Sequence, residues 1–115
     1  MLISMFVTVL LAAGPTSPGP ATEAGIALCS KSAEFISIST TTGPMASSQH
    51  PTIVGMRTTS RAVLDRYASR RTGPNAARFD QLGRTEFHKR FNSQSPVSEV
   101  WAVVQTCAAP AGRPG

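Results

Sequence analysis

Nine of the eleven basic residues of this 115-residue chain lie between Arg57 and Arg90, with three acids among them, a local charge of +6. Phe79, Phe87 and Phe91 are interleaved with Arg78, Arg84, Lys89 and Arg90. Cations alternating with aromatic rings are what phosphate neutralisation combined with base stacking requires. Arg66, Arg70, Arg71, Arg78, Arg84, Lys89 and Arg90 are therefore the candidate binding residues. The competing reading is plainer: the phenylalanines build a small core and the arginines keep the outside in water. No helix-turn-helix, zinc-finger or ribonucleoprotein pattern accompanies the segment. The excess of Arg over Lys also arises in GC-rich coding DNA without any functional reason.

The histidines are the next groups able to do chemistry. A small nuclease would need two acid/base groups and a cation for the phosphate. His88, with Glu86 or Glu99 and with Arg84 or Arg90, could be drawn in those roles, but neighbours on one helix point in different directions. His50 stands alone in a polar stretch. Two distant histidines without spaced cysteines or carboxylates make no recognisable metal site. The chain contains no nucleophile-elbow G-x-S-x-G, no phosphate-binding G-x-x-x-x-G-K-[ST] and no dinucleotide-binding G-x-G-x-x-G. The expectation is a non-enzymatic protein without cofactor or metal.

Cys29 and Cys107 are the only cysteines. They form no C-x-x-C, so their meaning depends on compartment. In an oxidising compartment they would close a disulfide loop of 79 residues. In the chain-entropy treatment that is worth about 4–5 kcal/mol. In a reducing one they would be free thiols. The compartment in turn rests on Met1–Ala13, MLISMFVTVLLAA, an uncharged apolar run. As a helix it would rise about 20 Å, short of the roughly 30 Å hydrocarbon core of a bilayer. Gly14-Pro15 and Pro18-Gly19-Pro20 prevent its extension. The run therefore reads as a secretory signal rather than a transmembrane helix, with Thr22 and Ala24 as small residues ahead of a cut before Gly25. The absence of Lys or Arg before the apolar run and the long spacer from Ala13 to Ala24 count against this reading, and the alternative is an uncleaved anchor that dips into a membrane.

The elements that must position these groups are sparse in apolar residues. Beyond Ala24, 17 of 91 residues are Leu, Ile, Val or Phe, near the limit at which a charged chain buries enough surface to order itself. Residues 1–24 read as a signal or apolar segment plus linker, 25–107 as one small domain and 108–115 as a flexible tail. Ser60–Arg71 predicts an amphipathic helix, with Val63, Leu64, Tyr67 and Ala68 on one face and Gly73-Pro74 as its stop. Asn75–Asn92 predicts a second helix, weakened by Gly83. Glu34–Ser39, with Ile36 and Ile38 in alternation, predicts a strand. Thr52–Thr58 is a second candidate strand. Val97–Thr106, VSEVWAVVQT, is the strongest, a continuous apolar run of the kind found in strands covered on both faces. The expected fold class is α+β: one or two helices against a short sheet, with a marginal core.

The function expected from these readings is a small basic exported protein that acts by binding an acidic protein or anionic surface. The net charge of +5 favours such partners. The alternatives are an intracellular basic protein associated with nucleic acid, or the product of a young open reading frame without an evolved site.

Overall fold

The computed structural model describes residues 22–109, and it is helical throughout. Five α-helices follow one another: α1 Glu23–Thr41, α2 Pro51–Arg66, α3 Ala68–Thr72, α4 Ala76–Arg90 and α5 Val97–Ala108. A single 3-10 turn, Gly43–Met45, lies between α1 and α2. No strand forms among the described residues, so the expected α+β architecture is replaced by an all-helical one. The apolar run Met1–Ala13 and the tail beyond Ala109 lie outside the described residues.

Helix α1 is the hub. It packs against α2, α4 and α5, while α2 also meets α5 and α3 meets α4. Its inward row is Leu28, Cys29, Ser32, Ala33, Ile36 and Thr40, a helical i, i+3, i+4 spacing. Three features of that row concealed it. Ser32 and Thr40 are polar yet fully buried, and Ala33 is small. Thr40 satisfies itself by donating its hydroxyl to the Ile36 carbonyl at 2.8 Å. Thr41 and Thr42 donate in the same way to Ser37 and Ile38. The Ile36–Ile38 alternation is therefore not a strand face. Ile36 is fully buried and Ile38 is 55% exposed, as expected for residues about 200° apart around a helix.

The other two expected strands fail for related reasons. Thr52–Thr58 lies inside α2, whose start is set by Pro51 at its first turn and by His50, whose Nδ1 accepts the Thr52 N–H at 3.2 Å. Val97–Thr106 lies inside α5, where Val100, Val104 and Cys107 point into the core and Val97, Trp101, Val103 and Ala108 pack around them. A short apolar run covered on most sides looks alike in helix and strand. Here Glu99 in the first turn and the 4–3 spacing of the inward residues go with the helix. The two expected helices form, the first beginning nine residues earlier and breaking at Tyr67, the second spanning Ala76–Arg90.

Two arginines act on helix ends and the loop beside them. Arg57 donates to the Thr40 carbonyl at 2.8 Å, and to Met45, Ala46 and Ser48 at 2.7, 3.2 and 2.8 Å. One guanidinium thus holds the end of α1 and the whole connection to α2. Arg66 donates to the carbonyls of Cys107 and Ala108 at 2.7 and 3.4 Å, closing the end of α5. Charge at a helix C-terminus also suits the dipole there. The expected Cys29–Cys107 disulfide is formed between α1 and α5, with Cα atoms 5.8 Å apart and both residues buried.

Candidate functional site

Helices α1 and α4 approach closely where Gly83 meets Ala27. A Cβ on Gly83 would lie 2.9 Å from the Ala27 carbonyl oxygen and 3.3 Å from the Lys31 Cβ. Beside this contact stands a charge cluster. Lys31, 20% exposed, bridges Glu34 at 2.8 Å and Asp80 at 2.6 Å, and Asp80 also receives Arg84 at 2.8 Å. Burial disfavours the Lys31 ammonium, yet hydrogen bonds to Asp80 and Glu34 outweigh it and raise its pKa above the ordinary 10.5. The Lys31 and Arg84 hydrogen bonds hold the Asp80 carboxyl below the ordinary 3.8. Both effects favour the charged cluster across neutral pH.

The cluster separates two concavities. One, of about 310 Å³, is polar and lined by Ser30, Lys31, Arg71, Phe79 and Asp80 among others. The second, of about 370 Å³, is a groove lined by Lys31, Glu34, Phe35, Ile38, Arg84, Phe87 and His88. Its floor is apolar. Phe35 lies 5.7 Å from Phe87 between ring centroids, and Phe87 lies 4.9 Å from Phe91, which joins the groove to the core. Phe35 and Ile38 are among the few large apolar side chains that remain exposed. Arg84, 59% exposed at its side chain, and His88 stand along the α4 edge.

The candidate residues read from the sequence are dispersed. Arg66 is engaged with carbonyls of α5. Arg70 pairs with Glu23 at 3.2 Å, tying α3 to the start of α1. Arg71 borders the polar concavity. Arg78 and Lys89 share one side of α4, about 16 Å apart along its axis, and Arg84 lies about 120° round from Arg78. Lys89 pairs with the largely buried Glu86 at 3.2 Å. The Arg90 guanidinium sits 5.8 Å from the centre of the Phe91 ring. Only Arg84 of this set borders the apolar groove. The acid/base set drawn around His88 is not assembled: Glu86 faces inward, about 200° from His88 on the same helix. Glu99 lies with Arg90, Phe91 and Ala102 at a different hollow.

Phe35 and Ile38 carried a signal in the sequence, because their i, i+3 spacing makes them neighbours on a helix. Reading the segment as a strand placed them on opposite faces. No group of three or more His, Cys, Asp or Glu suited to a metal occurs among the described residues. Comparison with family models, with curated proteins and with solved structures returned no match.

Proposed function

We propose that this is a small exported protein that acts by binding, without catalysis, and that the groove between α1 and α4 is its contact surface. The observation that carries this reading is the exposed pair Phe35 and Ile38 beside Phe87, a continuous apolar floor with charge along its edge. The groove is shallow, and Ile38 is more than half exposed. A small molecule would not be enclosed there, as ligands in true pockets are. An amphipathic helix laid into the groove would cover the floor. Its flanking residues would meet Arg84, whose side chain stays 59% exposed beside Asp80, so the partner segment carries carboxylates beside its apolar face. The net charge of +5 attracts such a partner at long range. Export is supported by the buried Cys29–Cys107 disulfide, since such bonds persist in oxidising compartments. No helix among the described residues is long and apolar enough to cross a membrane.

Two synthetic amphipathic peptides test the reading, both with a leucine face, one flanked by glutamates and one by lysines. Heteronuclear NMR titration of the oxidised protein should show saturable shifts at Phe35, Ile38 and Phe87 with the acidic peptide alone. Ile38→Asp and Arg84→Ala should each weaken binding at least tenfold, Ile38→Asp without lowering the melting temperature and Arg84→Ala lowering it by no more than about 3 °C through the lost pair with Asp80. Equal binding of the two peptides, or full binding by Ile38→Asp, refutes the assignment.

A further inference from the structure

The polar concavity of about 310 Å³ gathers hydrogen-bond donors that find no acceptor among the described residues. Helix α4 begins on its wall without a side-chain cap from Asn75. Ala76 donates its N–H to the Gly73 carbonyl at 3.1 Å, but the N–H of Ala77, also on the wall, has no such partner. Amides left open in the first turn carry the positive end of the helix dipole. Arg71 of α3 lines the same cavity; it is exposed and makes no hydrogen bond or ion pair among the described residues. Water serves an open helix start equally well, so these donors alone do not make a site. Ser30, on the α1 wall, supplies the independent observation. It is only 6% exposed, yet its hydroxyl bonds nothing among the described residues. Thr40, Thr58 and Thr72 each donate to a carbonyl one turn back; Ser30 does not. The Ser32 hydroxyl, also unbonded, is sealed in the core. That of Ser30 is not sealed, and the cavity is the space beside it. A hydroxyl so deeply placed without a partner calls for one that enters from outside.

We propose that this cavity binds a phosphomonoester. Its phosphate takes hydrogen bonds from the Ala77 N–H, the Ser30 hydroxyl and the Arg71 guanidinium, with Lys31 adding charge beside them. Phosphate presents three acceptor oxygens in different directions and so can use donors arriving from three helices, where a flat carboxylate has two oxygens. The acids on the wall do not cancel this charge. Asp80 accepts from Lys31 and Arg84, and Glu34 accepts from Lys31. Lys31, Arg71 and Arg84 outnumber Glu34 and Asp80 by one charge. The space left beyond the phosphate, against Phe79 and Ala27, takes the organic group. The site is distinct from the apolar groove, with which it shares Lys31 and Glu34.

The test titrates the oxidised protein with phenyl phosphate, inorganic phosphate and benzoate at constant ionic strength, followed by heteronuclear NMR. Phenyl phosphate should give saturable shifts at the Ala77 N–H and the Arg71 side chain. It should bind at least tenfold more tightly than benzoate, and inorganic phosphate should shift the same signals more weakly. Arg71→Gln should weaken phenyl phosphate at least tenfold. Ser30→Ala should weaken it about fivefold while leaving the melting temperature unchanged or higher, because the hydroxyl removed bonds nothing within the fold. Absence of saturation by phenyl phosphate at millimolar concentration overturns the site, as does parental affinity in Ser30→Ala or a lowered melting temperature for that variant. Equal affinity for benzoate, or for inorganic phosphate, overturns the assignment to a phosphomonoester.

Discussion

Two glycines in helix interiors, Gly55 in α2 and Gly83 in α4, should respond in opposite directions to the same substitution. In an open helix, Gly→Ala stabilises by about 1 kcal/mol, because alanine has less backbone freedom to lose. Gly55 is such a site: nothing lies within 4 Å of a Cβ built there. At Gly83 the same Cβ lies 2.9 Å from the Ala27 carbonyl oxygen, about half an ångström inside ordinary contact, which begins near 3.4 Å. The obstacle is backbone, so no rotamer relieves it. Retreat of α1 is opposed by the Cys29–Cys107 bond two residues from Ala27 and by Lys31, held at both Glu34 and Asp80. Overpacking of this kind costs about 1–3 kcal/mol, against the propensity gain of about 1. Gly83→Ala should therefore lose about 1 kcal/mol net. For a domain of this size each kcal/mol moves the melting temperature by about 4–8 °C. Thermal melts of the oxidised proteins should place Gly55→Ala about 5 °C above the parent and Gly83→Ala about 5 °C below. Urea midpoints should follow the same order with unchanged slopes. A Gly83→Ala protein as stable as Gly55→Ala would show that α1 and α4 do not approach at Gly83, and the floor of the groove would lose its basis.

Three further outcomes follow from the same contacts. Replacing both cysteines by alanine, or reducing the protein, should lower stability by up to about 4.5 kcal/mol from loop entropy, enough to bring the melting transition close to working temperatures for a core this small; a shift of less than about 5 °C would refute a constraining bond. Arg57→Ala should cost about 2 kcal/mol, because one guanidinium serves four carbonyls, and Arg57→Lys should recover less than half, since an ammonium lacks the planar fork; amide exchange should rise first at residues 41–50. Asp80 has its folded pKa below 3.8, so its contribution is fully present above that pH and is lost as pH falls through the lower folded value. With the side chain 40% exposed, the effect is about 1 kcal/mol or less. Asp80→Asn should flatten the acid limb of a stability-versus-pH curve, and an unchanged limb would refute the pairing with Lys31.

The parts of the fold legible in sequence are those marked by local chemistry. Gly73-Pro74 and the row Val63, Leu64, Tyr67 announced the end of α2–α3, and α4 was bounded by Asn75 and Asn92 nearly where it runs. Helix α1 was not legible, because Ser32, Ala33 and Thr40 occupy its buried face and erase the hydrophobic period that marks a helix. Helix α5 was misread because Val100–Val104 is apolar at every position, and β-branched residues suit strands when nothing else decides. Tertiary packing overrides that preference.

The groove follows the same division. Phe35, Ile38, Phe87 and Arg84 are visible in the chain, but two of them sit some fifty residues from the others. Which arginines face water and which close helix ends could not be read from charge spacing. Arg57 and Arg66 differ from Arg78 only in the carbonyls that the fold brings to them. By itself the sequence determined composition, net charge, the two cysteines and the helix stop at Gly73-Pro74, since these depend on residue type and near neighbours alone. The pairing of α1 with α4, the closeness permitted by Gly83 and the exposed apolar floor were decided only in the tertiary structure. Each depends on contacts between segments that are distant along the chain.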